Sequence, residues 1–245
     1  MTHIKRIARA LTALVFVGLL STQATAQEAP QAATIKANLA KQLPNLPAID
    51  SVQATPMQGL FEVRFGGSDI LYTDAAGDFL IQGALIDLKA KRNLTEERVN
   101  ALSAIAFDKL PLKDAFVIKR GTGERKIAVF EDPNCGYCKR FEQGLATIDN
   151  ITVYVFLYPI LGPDSVKKSQ AIWCAKDPGK TFEDWMLDGV TPPAASCNTD
   201  AITRNTAFGQ RNKIQGTPAI FFADGTRVPG AISADEVEKR LAASN

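Results

Sequence analysis

Cys135-Gly136-Tyr137-Cys138 stands where the apolar run Lys126-Ile127-Ala128-Val129-Phe130 gives way to a helical pattern. The run predicts a buried strand, and the pattern predicts a helix from about Cys135 to Thr147. The first turn of a helix offers unpaired backbone N–H groups and the positive end of the macrodipole. A thiolate placed there is stabilised, so its pKa falls below that of a free thiol. A spacing of three puts Cys138 one turn further on and on the same side as Cys135. Cys135 can then be an exposed attacking thiol, and Cys138 the shielded partner that resolves a mixed disulfide. Other uses of the pair compete. Zinc needs four ligands, and the chain has no second CxxC and a single histidine, His3. Haem attachment needs a histidine at position 139, which is Lys139. A permanently closed structural disulfide is the remaining alternative, and the strand-to-helix position favours redox chemistry over it.

The other two cysteines read differently. Cys174 lies in the apolar helical stretch Ala171-Ile172-Trp173-Cys174-Ala175, and Cys197 follows the loop Pro192-Pro193-Ala194-Ala195-Ser196. With wide spacing and no flanking cluster of positive charge, they are expected to form a structural disulfide that pins the loop to the helix. In the chain-entropy picture such a closure stabilises by roughly 3–4 kcal/mol. Glu131 and Asp132, just before the helix, are expected to be exposed N-terminal charge. Lys139 and Arg140 are expected to be solvated surface charges.

These thiols need a scaffold. Ile151 to Tyr158 reads as a long β-branched and aromatic strand. Helices are expected near 164–176, 179–188 and 200–213, then a strand Ala219–Phe222, a turn at Asp224-Gly225 and a last helix from about Ser233. This order suggests a mixed sheet with helices on both faces. Pro218, after Gly216-Thr217, opens the strand 219–222, a position that need not donate to a ladder. Upstream, Ile35, Leu39, Leu43 and Leu46 recur at helical spacing, and short β segments follow from about Ile49 to Ile86. They predict a small α+β domain with an antiparallel sheet. Thr95-Glu96-Glu97 is expected to cap a helix whose apolar face is Val99, Leu102, Ala106 and Leu110, ending at Pro111.

The N-terminus speaks to compartment. Lys5, Arg6 and Arg9 precede the apolar run Ala10–Leu20, and Ala24-Thr25-Ala26 supplies a small-x-small site. This is the pattern of a secretory signal cleaved before Gln27, and the run is too short for a membrane anchor. Its removal takes three basic residues and no acidic ones, turning the formal charge of +2 into −1. The remaining chain is expected to be exported to an oxidising compartment, where disulfides persist. It would also lack histidine, which excludes Ser-His-Asp and Cys-His catalysis and His-ligated metal sites. The near-balanced charge gives no reason to expect nucleic acid.

Several stretches together resemble one family. Phe130–Phe141 (FEDPNCGYCKRF), Ala171–Lys176 (AIWCAK), Pro193–Cys197 (PAASC) and Gly216–Gly230 (GTPAIFFADGTRVPG) resemble the periplasmic thiol:disulfide interchange proteins of the DsbC/DsbG family, within the thioredoxin superfamily. The N-terminal half resembles it more weakly, through Ile70-Leu71-Tyr72 and Ile81-Gln82-Gly83. The resemblance implies an α+β protein. Residues 1–26 would be a signal peptide, 27–92 a cystatin-like dimerisation domain, 93–111 a linker helix, and 112–245 a thioredoxin fold with a helical insertion. Cys135 would be the nucleophile, Cys138 the resolving thiol and Cys174–Cys197 the structural disulfide. Thr217-Pro218 would be a cis bond facing the thiols, and Gly136, Tyr137, Thr217 and Pro218 would meet the substrate. The implied activity is a periplasmic disulfide isomerase and reductase with chaperone-like client binding. It would act as a V-shaped homodimer whose uncharged cleft holds misfolded exported proteins, kept reduced by a membrane reductant of the DsbD type, with no cofactor. A DsbG-like reductase of single oxidised cysteines and a non-catalytic chaperone or binding module are the alternatives. Some thioredoxin-superfamily members place a buried carboxylate six residues before the first cysteine; here that residue is Val129.

Overall fold

The computed structural model describes residues 31–244. The expected signal sequence and its cleavage site lie outside them. The chain begins with helix α1 (Ala32–Gln42), which lays Ala32, Ile35 and Leu39 against an antiparallel sheet. The strands are β1 (Ile49–Ala54), β2 (Phe61–Phe65), β3 (Asp69–Thr73) and β4 (Leu80–Ile81), in that spatial order. Val52, Phe61 and Val63 complete this small core. Leu43, expected on the buried face, lies beyond the helix end and is exposed.

A short hairpin, β5 (Ile86–Asp87) and β6 (Arg92–Asn93), leads into α2 (Leu94–Leu102). This helix differs from the long linker helix expected over 93–111. Asn93, not Thr95, is its cap, accepting from the Glu96 amide at 3.1 Å. Thr95 instead turns its hydroxyl to Tyr72 and to the Leu85 amide. The helix stops at Leu102, and two single 3-10 turns, Phe107–Lys109 and Leu112–Asp114, follow. Burial explains the break. No residue of α2 is buried, whereas Phe107 and Leu110 are drawn into the core of the second half.

That second half is built on five strands: β7 (Phe116–Arg120), β8 (Arg125–Glu131), β9 (Ile151–Leu157), β10 (Ala219–Phe222) and β11 (Arg227–Pro229). Their order is β11-β10-β8-β9-β7; β8 and β9 run parallel, and the other pairs are antiparallel. Strand β8 is covered on both faces, which is why it reads as a continuous apolar run. Its period of two divides the core. Ile127 and Val129 join α3 (Gly136–Leu145), α5 (Pro178–Asp188) and α7 (Ala234–Ala243) on one face. Ala128 and Phe130 join Phe107, Phe156, Tyr158 and Phe221 on the other, beside α6 (Asp200–Arg211). Helix α4 (Pro163–Trp173) and α5 form the helical insertion after β9. Among the described residues no helix is long and apolar enough to cross a membrane.

Candidate active site

The chain leaves β8 at Glu131 and turns into α3 with Cys135 as the helix N-cap. The Cys138 amide donates to the Cys135 sulfur at 3.3 Å, so the sulfur sits in the position of a capping oxygen. From the other side, the Cys135 thiol donates to the Thr217 carbonyl at 3.3 Å. The Thr217-Pro218 bond is cis, and its loop faces the thiols across 82 residues of sequence. Cys135 and Cys138 are free thiols, both buried. The expectation of an exposed Cys135 is thus corrected: it is 6% exposed and part of the core on the α3 face, because the Thr217 loop lies over it. Gly136 and Tyr137 are the exposed members of the motif, Tyr137 at 63% with Arg140 over its ring.

The two thiols have opposite electrostatics. The Cys135 pKa is lowered from 9.0 to about 5. The hydrogen bond with Cys138 is the main cause; Thr217 and the backbone of Cys138 and Tyr137 add to it, and burial works against them. Burial pushes Cys138 far above the ordinary thiol range, helped by its bond to Cys135 and by the nearby charge of Glu131. Lys139 does not serve the thiolate. Its ammonium lies 3.8 Å over the Trp185 ring, next to Lys168, and burial lowers its pKa.

The second correction concerns Glu131 and Asp132, which are fully buried rather than exposed. Asp132 is a fastener: its carboxylate accepts from the amides of Asn134, Ile160 and Leu161 at 2.8, 2.8 and 2.9 Å. These bonds tie the loop before Cys135 to the chain after β9. Glu131 follows the parity of Ile127 and Val129, so it points beneath α3. Glu142 is buried there too, on the same helix face as Cys138, Phe141 and Leu145. The signal was in the sequence: Glu142 falls four residues after Cys138, inside the apolar stripe of α3.

Further out, Trp185 on α5 donates to the Pro133 carbonyl at 2.6 Å and braces the same loop. Cys174 caps the end of α4 rather than lying within it, and it is joined to Cys197 by a disulfide. The loop that bond closes contains α5. Among the described residues, no cluster of His, Cys, Asp or Glu could hold a metal ion.

Two free thiols at a helix start, with separated ionisation and a facing cis-proline loop, define a thioredoxin-fold thiol–disulfide oxidoreductase. Comparison with known proteins narrows this. Residues 112–245 match the thioredoxin-like domain, and residues 24–96 match the disulfide bond isomerase protein N-terminal domain. The chain is 48% identical over 212 residues to the probable thiol:disulfide interchange protein DsbC of Bordetella parapertussis, covering 86% of this chain and 75% of the relative. It is 34% identical over 200 residues to the DsbC of Escherichia coli K12, covering 78% and 80%. The crystal structure of a disulfide interchange protein from Neisseria gonorrhoeae superposes with a TM-score of 0.53 and 34% identity, over 55% of this chain and 98% of that one. The chain belongs to the DsbC family of thiol:disulfide interchange proteins. These relatives do not favour the DsbG-like alternative.

Proposed function

We propose that the protein is a periplasmic disulfide isomerase in which Cys135 is the nucleophile and Cys138 the resolving thiol. The observation that carries this reading is the split between the thiols: Cys135 ionises near pH 5, while Cys138 is held protonated by burial. The Cys135 thiolate attacks a wrong disulfide. One substrate S–S bond breaks, a Cys135–substrate mixed disulfide forms, and a substrate thiolate leaves. That thiolate attacks another disulfide of the client and frees a further thiolate; when the pairing settles, a client thiolate attacks the mixed disulfide, forms the last client S–S bond and releases the Cys135 thiolate. When rearrangement stalls, Cys138 attacks Cys135, the client leaves reduced, and the enzyme carries a Cys135–Cys138 disulfide. A membrane reductant of the DsbD type then restores the dithiol.

Gly136, Tyr137, Thr217 and Pro218 are the client-contacting groups in this reading. A cleft of about 600 Å³ beside Thr217 extends the surface, lined by Ile70, Leu71 and Val99 as well as polar groups. Its charges are internally satisfied: Lys213 pairs with Asp69 at 2.7 Å, and Arg227 donates to the carbonyls of Asn212 and Lys213. Such a surface suits unfolded segments of mixed composition. The exposed Leu80 and Ile81 on the edge strand β4, with the exposed Ile86 and Leu88 following in the chain, support dimerisation through the N-terminal domain. Acid-quenched alkylation of the protein in intact cells tests the reading. Cys135 and Cys138 are expected largely as free thiols; a pair found permanently oxidised would instead favour a binding module with a closed CGYC.

A further inference from the structure

The carboxyl groups of Glu131 and Glu142 are fully enclosed, and all four of their oxygens lack a hydrogen-bond donor. Two ionised carboxylates left this way are costly, because each is desolvated and each repels the other. One proton shared between them relieves both costs: it turns one oxygen into a donor for its neighbour and leaves a single charge. The surroundings supply only one distant cation as other relief among the described residues. Glu131, at the end of β8, is faced by Glu142 from α3 and by Cys135 and Cys138 from the motif. Glu142 is faced by Glu131, by Arg120 from β7 with its guanidinium 4.0 Å away, and by Glu183 from α5. Arg120 spends its closer contact on Glu183, at 2.6 Å. Burial raises both glutamates, Glu142 to about 7 and Glu131 more strongly. Arg120 and Glu183 are less enclosed than the pair and lead from it toward solvent.

We propose that Glu131 and Glu142 form a singly protonated pair that takes up the proton of Cys138 during the resolving step. The inference rests on the dithiol reading above and assigns these residues to its second half. Cys138 must lose a proton before it can attack, and its burial blocks direct transfer to water. In the step proposed, the proton passes from the Cys138 thiol to the free carboxylate of the pair. The Cys138 sulfur bonds to the Cys135 sulfur, the bond from Cys135 to the client breaks, and the client leaves as a thiolate. The two enzyme cysteines are oxidised and the client disulfide is reduced. The pair then returns the extra proton to solvent past Arg120 and Glu183. Glu131 and Glu142 are positioning residues for a proton, acting through Cys138. The position six residues before Cys135 is Val129, buried in the apolar core, so the acid has been supplied from the end of the strand and the face of the helix instead.

The test uses the full-length reduced protein and the chromogenic disulfide 5,5′-dithiobis(2-nitrobenzoate). The first release of nitrothiobenzoate reports attack by Cys135; the second reports attack by Cys138 on the mixed disulfide. In Glu131→Gln the ratio of second to first rate at neutral pH is expected to fall by about a hundredfold, the low end for lost general-base assistance. Its second phase should rise steadily with pH, where the wild type levels off, and Glu131→Asp should recover part of the rate. A Glu131→Gln ratio and pH profile equal to wild type overturns the proposal. Loss of the first phase in the wild type would instead overturn the dithiol reading. An infrared difference spectrum between oxidised and reduced wild type requires no variant. A protonated-carboxyl band that shifts with redox state at neutral pH is expected, and its absence also overturns the pair.

Discussion

Cys135 holds its low pKa through contacts that exist only in the folded chain: the Cys138 bond, the Thr217 side chain and the first amides of α3. Its folded value near 5 lies below the ordinary 9.0, so the ionised thiol stabilises the reduced protein. That stabilisation is complete above pH 9, shrinks as pH falls, and is gone below about pH 5. The Tm advantage of reduced wild type over Cys135→Ala should therefore shrink from pH 9 to pH 5; a difference independent of pH would contradict the assignment. Alkylation by iodoacetamide should inflect near pH 5, whereas an inflection near 9 means an ordinary thiol. Cys138→Ser should accumulate mixed disulfides with clients, visible on non-reducing gels, because the escape route is removed. The motif's position was legible in the sequence, since CxxC and the strand before it are local signals. The enclosure of Cys135 was not: it depends on a loop 82 residues away. Glu131 and Asp132 look like surface charge until β8 is known to be covered on both faces.

Helix α5 shows how one element serves the site without touching a reacting atom. Phe182 and Met186 bury it against the α3 face, Trp185 holds the Pro133 carbonyl, and the Cys174–Cys197 bond closes the segment that carries it. Replacing both Cys174 and Cys197 by Ala should lower unfolding stability by roughly 3–4 kcal/mol while whatever stays folded keeps a reactive Cys135. Full stability with lost thiol chemistry, measured by denaturant titration and alkylation, would show that the two pairs had been given each other's roles. Elements with strong periodicity were read nearly to the residue, as α5 at 178–188 and β9 from Ile151 show. The region after α2 misled because Val99, Leu102, Ala106 and Leu110 fit a helical stripe. The stripe has no common surface to cover: Leu110 and Phe107 pack on β8 and its neighbours, and the chain breaks helix to reach them. Strand β7 carries only a brief alternation, Phe116 and Ile118 in against Val117 and Lys119 out, too short to announce itself.

For the whole molecule, the catalytic half has two core layers of its own, and the N-terminal half has one small one. A small sheet with an apolar edge is marginal alone and is relieved by pairing with a second copy. The segment that carries β4 and the following hairpin exposes Phe79 at 72% and Leu88 at 84%. Light scattering of residues 27–245 should give a dimer at micromolar concentration, and a monomer removes the dimer proposal. A fragment beginning at 112 should be monomeric and retain a reactive Cys135. It should be less stable than one beginning at 104, because it loses the buried Phe107 and Leu110, each worth about 2–5 kcal/mol in comparable cores. Equal denaturation midpoints would mean the turns at 103–111 are ornamental to that core. Apart from the local β10–β11 hairpin, the strand order β11-β10-β8-β9-β7 was beyond the reach of sequence patterns, since the other pairings join segments far apart in the chain. The central claim, that the Cys135 thiolate reshuffles client disulfides, is tested most directly by the recovery of activity from a scrambled multi-disulfide enzyme. The reduced wild type is expected to restore it, and folded Cys135→Ser to leave it at the uncatalysed rate; recovery by Cys135→Ser at the wild-type rate would contradict the account.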